Sequence, residues 1–118
     1  MSGTKRVIRP FRAVVDGDMS ADIRGKETNT EHMDYASYII NWTGTSPVGV
    51  MKFEAMTFDG AGVEVWTELE LGSTITISGD SGSHQVLFNQ IHFAKLRPFY
   101  DRISGVGTLN ITAIVKEY

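Results

Sequence analysis

The segment Gly79-Asp80-Ser81-Gly82 has the residue types that flank the nucleophile of many serine proteases. A serine nucleophile needs a histidine base, a carboxylate to orient it, and backbone amides that hold the oxyanion. The only histidine upstream is His32, in a polar stretch, so Gly79–Ser83 reads as a turn linking "STITIS" to "HQVLFNQI". His32, His84 and His92 stand at no metal-ligand spacing. Asp16, Asp18 and Asp22 approach a calcium-loop spacing without completing it. Asp59 and Asp80 lie among glycines and serines, where aspartate is a common turn former. Gly105 and Gly107 in "SGVG" would suit a phosphate loop only with a helix after them. The residues beyond them alternate with period two, so "SGVG" reads as a hairpin turn between "RPFYDR" and "TLNITAIVK". No catalytic residue, cofactor or metal site is expected.

Aromatic side chains offer a different chemistry, that of stacking. Tyr35, Tyr38, Trp42, Phe58, Phe99 and Tyr100 mostly fall at inward strand positions and read as core. Trp66 is the exception, sharing its face with Glu64, Glu68 and Glu70, and it is a candidate partner-binding residue. The other candidates are cationic. Lys5, Arg6, Arg9 and Arg12 occupy the first twelve residues, which contain no acid, and leave seven basic against 14 acidic residues in the rest. A basic arm on an acidic body fits an acidic partner surface, and equally a charged edge strand that resists aggregation. The acidic body disfavours nucleic acid.

The elements that position these residues are strands. At 118 residues, with 42% apolar and 21% charged side chains, the chain suits one domain with one core. It has no cysteine, hence no disulfide or thiolate chemistry. No apolar run approaches the ~20 residues of a membrane span, and the N-terminus lacks a signal-peptide core, so a soluble chain made in the cytoplasm is expected. The sequons at Asn41 and Asn110 are then chance.

Turn residues recur every eight to twelve positions. Between them, Tyr38, Ile40 and Trp42 share a face, as do Met51, Phe53 and Ala55, and Leu109, Ile111, Ala113 and Val115. Val63, Val65, Thr67 and Leu69 alternate with the glutamate face of Trp66. Pro10 marks the first strand as an edge or a bulge. Thr28–Tyr38 has room for at most a helical turn. The expected fold is all-β, a two-sheet antiparallel β-sandwich of about eight strands, jelly-roll-like. Residues 1–12 form a basic arm or edge strand and 13–118 a single sandwich domain.

Several short motifs carry a resemblance. They are "DGDMSADI"; the turn Trp42-Thr43-Gly44-Thr45; Trp66 opening a later strand; Arg97 and Tyr100; Ser104, Gly105, Gly107, Thr108 and Leu109; and Lys116. Over residues 16 to 116 this pattern resembles a small β-sandwich structural protein of tailed bacteriophages. The resemblance implies a virion component without catalytic activity, of the head decoration or cement type. Such a protein is made in the host cytoplasm and binds the major capsid protein lattice or other virion proteins, as a homo-oligomer, for which a trimer is expected. It implies no nucleic acid and no membrane partner. Two other classes suit the same chain: a carbohydrate-binding module of a tail fibre or spike, and a head–tail connector component.

Overall fold

The computed structural model describes residues 7–29, 33–71, 73–89 and 95–117. Eight strands run in order: β1 (Val7–Asp18), β2 (Ile23–Arg24), β3 (Thr28–Asn29), β4 (Met33–Phe58), β5 (Glu64–Glu68), β6 (Ile75–Ile77), β7 (Ser81–Asn89) and β8 (Lys95–Glu117). All pairings are antiparallel and belong to one hydrogen-bonded sheet. The all-β, eight-stranded antiparallel expectation holds. No helix of the described residues is long and apolar enough to cross a membrane.

Two strands make the frame. β4 and β8 run beside each other from Met33↔Glu117 to Met56↔Lys95. On the far side of β8 lie β1, β2 and β3; on the far side of β4 lie β7, β6 and β5. Tyr38 and Phe53 are 15 positions apart in β4, about 50 Å if the strand were straight. Their ring centroids are 5.0 Å apart. The β4–β8 ribbon therefore folds back on itself near its middle, and the sheet closes into two facing layers. The first layer holds β1, β7, Met33–Thr45 and Val106–Glu117; the second holds β2, β3, β5, β6, Val48–Phe58 and Lys95–Ser104. Two-layer packing of this kind is consistent with the expected sandwich, although both layers belong to one sheet.

The bend is where "SGVG" sits, and here the sequence-based expectation is corrected. Residues before and after it pair with the same strand in the same sense, so the chain does not reverse into a hairpin. β8 continues, and the register shifts between Thr45 and Gly49 mark the fold line. Gly105 has φ 78° and Ser46 φ 47°. A Cβ on Gly105 would collide with the Ser46 carbonyl oxygen, so the position needs glycine for space as well as for φ. Two side chains clasp the bend. Asp80 accepts from the Ser46 amide through Oδ1 (2.9 Å), and its carbonyl accepts from the Gly44 amide (2.8 Å). Arg102 Nε donates to the carbonyls of Met19 (3.1 Å) and Gly105 (3.1 Å).

The period-two pattern filled the core as expected. Tyr38, Ile40, Trp42, Met51, Phe53, Ala55, Leu109, Ile111 and Ala113 are all buried. Val115 lies in β8, but its side chain is outside the described residues. Phe88 sits edge-on to Phe53 (5.0 Å) and Tyr38 (6.0 Å) and extends the aromatic contact between layers. Three other expectations change. "SYIINWT" and "VGVMKFEAMTFD" are one strand, β4, because the Thr45–Pro47 segment bends the chain without ending its pairing with β8. Thr28, Asn29 and Met33–Tyr38 are strand rather than a helical turn, since ladder partners are available on β8. Val63, in the turn before β5, and Val65, at its start, are exposed rather than inward.

Two buried tyrosines differ in their polar ends. Tyr38 donates to Thr28 Oγ1 (2.9 Å), a buried bond joining the layers. Burial pushes its phenol up to about 12, against a lowering by the Thr28 bond. The Tyr100 hydroxyl is buried with no hydrogen-bond partner among the described residues. Tyr38→Phe should therefore destabilise by about 1–2 kcal/mol, and Tyr100→Phe should be neutral or stabilising, read by chemical denaturation. The Tyr38 contribution is complete below the unfolded pKa of 10.0 and is lost as pH rises from there through about 12. Alkaline melting curves should show that loss in the wild type and a smaller one in Tyr38→Phe. Gly105→Ala should cost about 2–4 kcal/mol in the same assay, from a left-handed residue and the Ser46 clash.

Candidate interaction surface

Because the inner faces meet, the outer faces of the two layers point in opposite directions, and their chemistry differs. On the first layer, Pro10, Ile114, Ser37 and Leu87 lie in register across β1, β8, β4 and β7. The next row is Arg12, Thr112, Ile39 and Gln85, and the one after it includes Asn110, Asn41 and Ser83. These rows contain no carboxylate. Leu87 is 60% exposed, and Ile39 and Ile114 are half-buried. The polar groups satisfy one another: Gln85 Nε2 donates to Ser37 Oγ (3.1 Å) and Arg12 Nη2 to Asn110 Oδ1 (2.9 Å). Asn110 Oδ1 also accepts from the Asp16 amide (2.9 Å).

The second layer carries charge, arranged in pairs. Arg97 Nε and Arg24 Nε both donate to Glu54 Oε1, at 2.8 and 3.0 Å. The Arg97 guanidinium lies 3.8 Å above the Trp66 ring and that of Arg24 4.6 Å above Phe99. The order Trp66–Arg97–Glu54–Arg24–Phe99 thus crosses four strands as stacked cation, carboxylate and ring. Beside it, Lys52 Nζ reaches Asp101 (3.0 Å) and Glu68 (3.7 Å), and Lys95 reaches Glu27 (3.4 Å). Burial raises the Glu54 pKa, but the bonds and charges of Arg97 and Arg24 outweigh it, so it lies below its ordinary 4.5. The Asp101 bond and the Glu68 charge hold the Lys52 ammonium above its usual value.

The residues singled out from the sequence do not converge. Arg12 and Trp66 stand on opposite outer faces. Arg9 lies in β1 with its side chain outside the described residues, and Lys5 and Arg6 are outside them altogether. From Val7 onward the basic segment is an edge strand paired with β8. Trp66 shares its face with Glu64 and Glu68 as expected, yet one side of its ring is occupied by Arg97. Asp80 holds the bend. His84 lies 5.5 Å from the Trp42 ring, with Nε2 3.3 Å from the Thr76 carbonyl. His32 and His92 fall outside the described residues. Asp18 accepts from the Ser20 amide and Asp22 from that of Arg102. Asp59 closes the β4–β5 turn by accepting from Ala61 and Val63, which lowers its pKa. No group of three metal-ligating side chains gathers among the described residues.

Of the six aromatic side chains expected in the core, Tyr38, Trp42 and Tyr100 are buried, Tyr35 and Phe58 are exposed, and Phe99 is half-buried under Arg24. Sequence reasoning missed Leu87, whose exposure comes from its place on the outer face of an edge strand. Glu54 has a depressed pKa, so its share of stability is present above about pH 4.5 and lost as pH falls through the folded value. Glu54→Gln should flatten the acid limb of a stability–pH curve while remaining folded at neutral pH.

No family model matches the chain, and no curated protein matches it at a significant level. Solved structures do. The fold is similar to that in the crystal structure of the SPBc2 prophage-derived protein YomS, with a TM-score of 0.58 and 15% identity over 99% of both chains. It is also similar to part of a chain in the structure of infectious bursal disease virus, Gx strain, with a TM-score of 0.57 and 8% identity. That match covers 97% of this chain and 32% of the viral one. At these identities the likeness is one of fold: a bent, two-layered antiparallel sheet.

Proposed function

We propose that this protein is a non-enzymatic structural component of a bacteriophage virion, a decoration protein that binds the lattice of the major capsid protein. The observation that carries the reading is the end-to-end fold likeness to a prophage-derived protein, together with a second likeness to a viral chain. The motifs that resemble tailed-phage structural proteins agree with it. The surface chemistry supports it too. Depletion of charge with scattered apolar side chains is what the core of a protein–protein contact presents, whereas internally paired charges suit a face left in water. The first-layer outer face has the former character and the second-layer face the latter. The decoration protein would lay its first layer on the shell, with Arg12 at the rim. Trp66, stacked under Arg97, stays on the solvent side.

Purified protein mixed with shells that lack it should co-sediment with them, and binding should weaken as salt screens the basic rim. Arg12→Glu should lower the affinity by roughly tenfold, and Trp66→Ala should leave it unchanged. Failure of the wild-type chain to bind shells would overturn the decoration reading. Loss of binding in Trp66→Ala with full binding in Arg12→Glu would reverse the assignment of faces.

A further inference from the structure

The two long edges of the first layer are built differently. β1 contains Arg9, Pro10 and Arg12, and its register with β8 slips twice, between Arg12 and Val14 and between Val14 and Gly17. Proline, charge and bulges close a sheet edge to further strands. β7 has none of them. Ser81–Asn89 contains no proline, lysine, arginine or carboxylate and pairs with β4 in unbroken register from Thr43↔Ser81 to Tyr35↔Asn89. Among the described residues β4 is its one ladder partner. About 30 Å of regular strand therefore presents one row of backbone donors and acceptors for pairing. Beside that edge lies an open surface groove of roughly 330 Å³ whose walls include Leu71, Ile75, His84, Gln85, Val86 and Leu87.

The sequence of β7 specifies what fits beside it. Its first third is small, Ser81-Gly82-Ser83, and its last part is large, Val86-Leu87-Phe88. Gly82 has to be small, since the Trp42 ring lies against its Cα. Turned antiparallel against itself about Gln85, the strand sets Phe88 opposite Gly82, Leu87 opposite Ser83 and Val86 opposite His84. Large meets small at Phe88–Gly82 and Leu87–Ser83, and with no lysine, arginine or carboxylate on the strand no such charges are brought face to face. A patch complementary to itself about a two-fold axis is the requirement for an isologous dimer.

We propose that β7 is the two-fold interface of a homodimer, in which the β7 strands of two copies pair antiparallel through Gln85 and join their first layers into one eight-stranded sheet. The grooves beside the two β7 strands then face each other across the axis, and Leu87 gains a partner surface. This assembly goes beyond the virion reading, does not depend on it, and differs from the trimer that the phage resemblance implies.

Sedimentation velocity over a concentration series tests it. The wild-type chain should sediment as a dimer. Gln85→Lys places like charges opposite each other at the axis and should raise the dissociation constant about fivefold or more. Gln85→Glu should do the same, and an equal mixture of the two variants should restore the dimer. Gln85 is exposed, so both variants should keep the wild-type circular dichroism spectrum. Should either lose it, Gln85→Cys in this cysteine-free chain provides the second measurement. Directly opposed strand positions are close enough to form a disulfide on mild oxidation. A wild-type monomer at every concentration, a trimer, a dimer indifferent to both charged substitutions, or no cross-linking of Gln85→Cys would each overturn the proposal.

Discussion

Everything in this structure depends on the fold line across β4 and β8. Two strands of 26 and 23 residues are too long for a domain of this size unless they bend, and both bend at one level. The bend brings Tyr38 onto Phe53 and so creates the core. The backbone cost is concentrated at Ser46 and Gly105, the two positive-φ residues of the bend. Local polar contacts offset it. Asp80 from the β6–β7 turn and Arg102 from β8 supply hydrogen bonds to amides and carbonyls there. The Gly-Asp-Ser-Gly segment, whose residue types suggest a nucleophile, is thus a structural clasp.

The bend also determines what the outer surface can do. Folding one sheet into two layers turns one outer face of the ribbon in two opposite directions. One half of that face holds aliphatic side chains with hydroxyls and amides; the other holds paired ions stacked on Trp66 and Phe99. The asymmetry comes from the composition of alternate positions in β4, β8 and the strands beside them, so that one face is poor in charge and the other carries paired ions. Four further edges remain after folding. Those of the second layer are short, and β1 is guarded by Pro10, charge and bulges, which leaves β7 as the long regular one.

The range of each interaction decides how much of this was legible in the sequence. Strand existence and the inward sets were readable, because the alternation in Tyr38–Trp42, Met51–Ala55 and Leu109–Ala113 is local and burial tracks it. Continuity was not. A glycine with positive φ is needed by a hairpin and by a bend alike, so "SGVG" could not reveal that β8 runs through it. The partners of the candidate site residues were hidden for the same reason. Arg12 meets Asn110 across 98 positions and Arg97 meets Glu54 across 43, pairings that exist only once β1, β4 and β8 share a sheet. Trp66 was correctly set on the glutamate face, but its covering cation lies on another strand.

The measurement that bears most directly on the proposed decoration role is the copy number of this chain in purified phage particles from the strain that carries its gene, by quantitative mass spectrometry against the major capsid protein. A decoration protein predicts a copy number on the scale of the capsid lattice itself. A handful of copies would contradict decoration and indicate a connector or fibre component, and absence from the particle would contradict the virion reading as a whole.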